Sequence, residues 1–258
     1  MAASAETSNA ILRALAAVQT RRELAGLMGE ITHEFRFRHY ALIHHDDLRG
    51  APENRVNLKD YPASATARII DDATWRRDPV IRGCAHIGRA FLWSELGDHI
   101  QITRADRLAL ELGAKEGLNQ GITVPHAILG QLSGSCTFAG TRSPDLAEHL
   151  LGMAQLVGIF AFQAAKRLLP GEDKVPVPRP RLQPRPRDCV VLTGCGFSNK
   201  EIARALGLTP RTVDGYLTDA RRLFEVNDRT ELVISALIAG EVDLAELRRR
   251  QPEHLLGL

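Results

Sequence analysis

Apolar positions change period along the chain, and the change marks out its elements. In residues 8–34, Ile11, Leu12, Leu15, Val18, Leu24, Leu27, Met28 and Ile31 recur on one face at helical spacing. HYALIHHDD (39–47) reads as a strand entering a turn, and residues 63–76 read as a helix stopped before Asp78-Pro79. Arg104 to Lys115 and Ser143 to Leu168 predict longer helices. GITVPHAI (121–128) and GQLSGSCTFAG (130–140) predict paired strands. Helices flanking a mainly antiparallel sheet make an α+β domain.

Residues 170–188 break the pattern. Pro170, Pro176, Pro178, Pro180, Pro184 and Pro186 fall within them. Proline removes a backbone donor and extends the residue before it, so the segment cannot continue a helix. The expected organisation is a domain over 1–169, a Pro-rich linker over 170–183 and a second domain over 184–258. That second domain reads as all-α with four helices: Pro184 to Thr193, Asn199 to Leu206 capped by Ser198 and ended by Gly207, Thr209-Pro210 to about Phe224, and Arg229 to Ala239.

A hydrophobic fraction of 44% supplies ample core for both. The 33 basic and 31 acidic residues leave +2, so no polybasic tail exists, although a local positive surface remains compatible with this balance. No run approaches the roughly 18 apolar residues of a membrane helix, and no basic residue precedes the apolar N-terminal stretch as a secretory leader requires. The expectation is a cytoplasmic protein without a membrane partner. Cys84, Cys136, Cys189 and Cys195 form no CxxC pair or metal spacing and read as small core residues. His44, His45, Asp46 and Asp47 alternate faces in a strand and cannot converge on a metal. No nucleophile–base pair or phosphate loop stands out, which argues against an enzyme.

SNKEIARALGLTPRTVDGYLTDARRLF (198–224) carries the most specific pattern. Ile202, Ala203 and Leu206 form the inner face of one helix, Leu208 sits in the turn, and Val213, Leu217 and Ala220 form the inner face of the next. This is helix-turn-helix spacing, in which the second helix enters the major groove. Thr209, Arg211, Thr212, Asp214 and Gly215 would meet phosphates and base edges, with Thr218, Arg221 and Arg222 further along and Lys200 on the preceding helix. Residues 179–229 hold ten Lys/Arg against six Asp/Glu, a local surplus of the right sign. By pattern alone, a helical hairpin with solvated arginines remains open.

Residues 182–242 resemble the DNA-binding domain of the LuxR/FixJ superfamily. The matches are Gly196, Ser198, Glu201, Ile202, Ala203, Leu206, Thr212, Val213, Val226 and Arg229. Pro186 stands where that family carries an acidic residue, and Tyr216 where it carries a histidine. A phosphorylated receiver upstream would need an acidic cluster and parallel strands, which the N-terminal region lacks.

Residues 8–168 instead resemble the autoinducer-binding domain of LuxR-type quorum-sensing regulators, through Tyr61-Pro62, Asp78-Pro79-Val80, Phe91-x-Trp93 and Gly121-Ile122-Thr123-Val124-Pro125. The resemblance implies a pocket for an acyl-homoserine lactone or related signal and no cofactor. Tyr61 would donate to the acyl carbonyl, Asp78 would accept the amide N–H, Trp93 would pack beside the lactone and Thr137 would add a hydroxyl. Ala65 replaces the tryptophan whose indole bonds the lactone carbonyl in that family, and Ile69 occupies an often aromatic position. The loss implies a vacated volume, filled by a bulkier ligand or by Trp75, which otherwise reads as a core or interface aromatic. The implied partners are promoter DNA, the autoinducer, a second copy of the chain and RNA polymerase. The subunit contact is expected along Leu150, Met153, Ala154, Val157, Phe160 and Ala161. Two alternatives stand: a solo regulator of this family that senses another small molecule or none, and a binding protein whose helix-turn-helix has lost DNA affinity.

Overall fold

In the computed structural model the described residues are 2–45, 54–68, 77–129, 131–141, 143–170 and 180–247. They fall into two units, Met1–Lys174 and Val175–Leu258.

The helical run near the N-terminus is two helices, α1 (Ala2–Ala17) and α2 (Arg21–Glu34), rather than one. The break is written in the sequence. Thr20 is extended, and its hydroxyl accepts from Glu23 N at 3.1 Å while Glu23 Oε2 accepts from Gln19 N at 3.0 Å. Both helices bury Ile11, Leu15, Leu24, Met28 and Ile31 against the sheet and the long helix at Pro144–Arg167.

Five strands form an antiparallel sheet: β1 (His39–His44), β2 (Asn57–Lys59), β3 (Phe91–Leu92), β4 (Gly121–His126) and β5 (Gly134–Ala139), in the order β2-β1-β5-β4-β3. The short strands β2 and β3 had no sequence signature. Between them lie α3 (Ala63–Thr66) and α4 (Pro79–Cys84). After β3 come a 3₁₀ turn (Trp93–Glu95), α5 (Leu96–His99) and α6 (Arg104–Lys115). The helix expected over 63–76 is seen at its start; residues 69–76, with Ile69 and Trp75, lie outside the described residues.

Strand alternation assigns the two sheet faces. Tyr40, Leu42, Ile122, Val124, Cys136 and Phe138 face one way, into a core closed by α1, α2 and the long helix α7 (Pro144–Arg167). Ala41, Ile43, Ser135 and Thr137 face the other way, onto a pocket. The sheet is therefore covered on both sides, which explains why β5 is buried along its whole length despite its Ser and Thr. Helix α7 is long and apolar enough to cross a membrane, yet its face of Ala154, Val157 and Ala161 is buried in this core. Gly158 permits the approach: a Cβ there would stand 2.7 Å from Val124 Cγ2. Arg167 fastens the far end, donating to the carbonyls of Leu15, Ala16 and Val18 at 3.1–3.2 Å.

The second unit is helical: α8 (Pro184–Gly194), α9 (Asn199–Leu206), α10 (Pro210–Leu223), α11 (Arg229–Ala239) and a short α12 (Leu244–Leu247). The four expected helices are present, and α12 adds a fifth that is too short to show periodicity. Arg187 anchors it, pairing with both Glu246 carboxylate oxygens at 2.7 and 2.9 Å and donating to Glu241 O at 2.8 Å. The core is Val190, Leu192, Ile202, Val213, Leu217, Leu232 and Ala236.

Candidate functional site

The pocket of the first unit encloses about 650 Å³ including its open mouth. Ala41 and Ile43 of β1, Val80 and Ile81 of α4, Leu110 of α6 and Leu118 make its apolar wall. Polar groups gather at Tyr61, Arg68, Asp78, Trp93 and Thr137, and His45 and Ser135 add a second polar pair. A mostly apolar cavity with a few fixed polar groups is the usual form of a small-molecule site.

Asp78 is held by the helix it starts. Its Oδ1 accepts from Val80 N at 2.8 Å and Ile81 N at 3.2 Å, capping α4, with Pro79 at the first helical position. Oδ2 takes no hydrogen bond among the described residues. Burial pushes the Asp78 carboxyl above the usual range, opposed by those two amides and by the Arg68 guanidinium. An ionised carboxylate here is stabilised most by a donor that arrives with a ligand.

Tyr61 stands beside it. Burial and the nearby Asp78 and Asp60 charges raise its phenol, while Thr137 acts in the opposite direction. The hydroxyl is therefore a neutral donor at any physiological pH. Thr137 belongs to a chain of bonds: Trp93 Nε1 donates to Thr123 Oγ1 at 2.9 Å, and the Thr123 and Thr137 hydroxyls lie 3.0 Å apart. The indole packs closely on the sheet because residue 121 is glycine; a Cβ there would stand 2.6 Å from Trp93 Cε2. So the structure brings Tyr61, Asp78, Trp93 and Thr137 to one pocket.

Ala65 is different. It is fully buried with Leu118 and Ala139 beneath Tyr61 and Trp93 and does not line the pocket. Its methyl group is enclosed by these neighbours. Sequence reading missed Arg68, His45 and Ser135. Arg68 carried a faint signal, a lone charge in the otherwise apolar or small run ASATARII. Its Nη2 meets Glu116 Oε2 at 2.6 Å. The separation of His44 from His45 follows the strand: His44 Nδ1 accepts from Val56 N at 3.0 Å on the core side, and His45 Nε2 meets Ser135 Oγ at 2.9 Å on the pocket side.

In the second unit, Ser198 and Glu201 form a reciprocal cap on α9, and Gly207, with φ of 66°, ends it in the left-handed conformation that favours glycine. Thr209 caps α10, accepting from Thr212 N at 3.1 Å. Arg211, Asp214, Gly215 and Arg222 are exposed on α10 and Lys200 on α9, while Thr212, Thr218 and Arg221 are half-buried. Arg211 makes no side-chain hydrogen bond or ion pair among the described residues. Asp214 accepts from Asn199 Nδ2 at 3.3 Å, Thr218 accepts from Arg221 at 3.0 Å, and Arg222 lies 3.7 Å from Asp219. Arg229 locks the two-helix unit from behind, donating to Asn199 Oδ1 at 3.0 Å and to the Phe197 carbonyl.

Residues 20–165 match the autoinducer binding domain model, and residues 181–236 match that of bacterial regulatory proteins of the luxR family. This chain belongs to the LuxR-type quorum-sensing regulators. The regulator is 28% identical over 183 residues to the transcriptional activator protein BjaR1 of Bradyrhizobium diazoefficiens, spanning 70% of this chain and 74% of BjaR1. It is 26% identical to the transcriptional activator AhyR of Aeromonas hydrophila over 63% of this chain and 64% of AhyR, less than two thirds of that relative. Among solved structures, Escherichia coli SdiA superposes with a TM-score of 0.56 at 17% identity, covering 92% of this chain and 98% of SdiA. SdiA in complex with octanoyl-rac-glycerol gives 0.54 at 16% identity, over 91% and 94% of the two chains. At such identities the likeness shows the fold. This LuxR-type chain is a ligand-responsive transcriptional regulator: an α+β signal-binding unit joined to a helix-turn-helix unit.

Proposed function

We propose that this regulator binds an N-acyl homoserine lactone or a closely related neutral amide in the Tyr61–Asp78 pocket, and that occupancy controls promoter binding by α10. The observation that carries the reading is Asp78. One carboxylate oxygen is spent on capping α4, and the other is left in an apolar pocket beside a neutral phenol donor. An amide supplies the matching pair, its N–H to Asp78 and its carbonyl to Tyr61. The acyl chain then lies along Ala41, Ile43, Val80 and Leu110. Trp93 packs beside the ring and Thr137 supports Tyr61.

A ligand that satisfies this half-buried carboxylate binds the folded unit and stabilises it by mass action, by about 2.7 kcal/mol at a hundredfold excess over Kd. The free cysteines, three of them buried, fit the reducing cytoplasm as the place of action.

On the DNA side, Arg211, Thr212 and Gly215 would approach base edges, with Lys200, Thr209, Thr218, Arg221 and Arg222 on phosphates. Asp214 positions α9 through Asn199. Two copies would read a pseudo-palindrome. Of the expected subunit stripe on α7, Ala154, Val157 and Ala161 are consumed by the core, so the contact falls to Leu146, Leu156 and Phe160, each more than a third exposed. RNA polymerase is the further partner of the DNA-bound dimer.

The test is thermal unfolding of the full chain with added N-octanoyl homoserine lactone, together with mass spectrometry of small molecules retained through purification. A rise in melting temperature and a retained acyl amide are expected. No rise, with a retained molecule that lacks an amide, would refute the ligand assignment.

A further inference from the structure

We infer that the end of the pocket away from the amide recognises a hydroxyl on the ligand's acyl chain through Ser135, so that the preferred signal carries a hydroxylated acyl group rather than a plain alkyl one. The inference rests on the proposed amide pocket and deepens it. Two elements set Ser135 apart from the amide. On β5 it precedes Thr137 by two residues on the same sheet face, a rise of about 6.5–7 Å. On α4 the Asp78 cap opens the helix, and Cys84, which the Ser135 hydroxyl meets, closes it about 9 Å further along the axis. An acyl carbonyl held at Tyr61, beside Thr137, therefore sends its chain to Ser135 after about five or six atoms at ordinary bond lengths.

Along that path Ala41, Ile43, Val80 and Leu110 make an apolar wall, and Ser135 with His45 interrupts it. Ser135 is fixed: it is 6% exposed, it pairs with Ile43 across the sheet, and its Oγ lies 2.9 Å from His45 Nε2. The His45 backbone is fixed as well, donating to Ser133 O at 2.8 Å. Burial pushes the Cys84 thiol up, and the Ser135 hydroxyl opposes the rise. A hydroxyl has one proton and two lone pairs. His45 and Cys84 take two of these three positions among the described residues, and the third lies on the pocket wall. His45 is engaged elsewhere too, so the position offered to a ligand is that of Ser135. An alkyl end laid here strips water from Ser135 and returns no partner. A ligand hydroxyl donates and accepts, so it fits the vacant position whichever tautomer His45 adopts.

The experiment compares N-(6-hydroxyhexanoyl) homoserine lactone with N-heptanoyl homoserine lactone, which has a chain of the same length and a methyl in place of the hydroxyl. Affinity is read by calorimetry on the full chain. The wild type is expected to bind the hydroxylated compound at least as tightly as the alkyl one, whereas a hydroxyl entering an apolar channel without a partner loses affinity. Ser135→Ala should move the ratio of the two dissociation constants about three- to tenfold toward the alkyl compound, the scale of one neutral hydrogen bond. A wild-type preference for the alkyl compound, or a ratio unmoved in Ser135→Ala, overturns the inference and leaves the amide pocket standing. If Ser135→Ala does not fold, the wild-type comparison decides by itself, in the same two directions. If neither compound binds the wild type, the amide pocket itself fails, and this inference with it.

Discussion

Replacing Asp78 by asparagine and by alanine separates its two tasks. Its Oδ1 caps α4 through Val80 N and Ile81 N at 2.8 and 3.2 Å, and its Oδ2 faces the ligand in the proposed complex. Asparagine caps helices as well as aspartate does, so Asp78→Asn keeps the first task. It also removes a carboxyl that burial disfavours as an ion. The unliganded first unit should melt at or above the wild-type temperature. Toward the ligand, however, the amide presents an NH₂ where an acceptor was, and two donors then meet. Losing a charge-assisted hydrogen bond costs about 1.5–3 kcal/mol, a drop of about ten- to a hundredfold in affinity. Asp78→Ala loses the cap as well, at about 1 kcal/mol, so it should melt below Asp78→Asn and bind no better. The assay is melting of the full chain against N-octanoyl homoserine lactone concentration. If Asp78→Asn binds the lactone as tightly as the wild type, Asp78 is not the ligand's acceptor and the reasoning is wrong.

Acid should weaken ligand binding, because the complex needs Asp78 ionised and its carboxyl is raised in the free protein. Between the ordinary carboxylate range and that raised value the free folded unit holds a proton that the unfolded chain has lost, so Asp78's contribution to unliganded stability falls as pH rises through that window. Melting temperatures with and without lactone, taken from neutral pH downward, should converge in the wild type and stay close together throughout in Asp78→Asn. Arg211→Ala should cost about 1–3 kcal/mol of specific DNA affinity and leave the ligand-induced melting shift intact, as read by gel shift and calorimetry on one preparation; loss of the ligand shift alone would count against the interface. Gly215→Ala should stabilise the second unit by about 0.5–1 kcal/mol, because nothing lies within 4 Å of an added Cβ and glycine is a poor helix former, while weakening DNA binding if DNA packs closely on this face; unchanged DNA affinity would place the duplex elsewhere.

The second unit was the more legible in sequence. Its helices have explicit boundaries: Ser198 with Glu201, Gly207, Thr209-Pro210 and Asp228 each cap an end by local chemistry. Only α12 escaped, since a helix of four residues held by Arg187 depends on a tertiary contact. In the first unit β1, α6 and the cores of β4 and β5 were legible from period. β2 and β3 were not, because strands of two or three residues carry no pattern. The single run over 8–34 hid the break at Thr20, where the apolar phase continues through the cap. The pocket was legible only where motifs held polar residues in a recognisable order. Arg68, His45 and Ser135 join it through sheet register and helix packing: Ser135 faces Ile43 across the β1–β5 pair, a relation that a linear reading does not contain.

In the proposed mechanism a neutral amide in the first unit controls DNA binding by the second. The most direct measurement selects genomic fragments bound by the full chain, then determines Kd for one fragment with and without saturating ligand in wild type and in Asp78→Asn. Ligand should change the wild-type Kd, the change should be lost in Asp78→Asn, and the unliganded Kd of the two proteins should be the same. A wild-type Kd indifferent to a ligand that demonstrably fills the pocket, or an equal ligand response in Asp78→Asn, would contradict it.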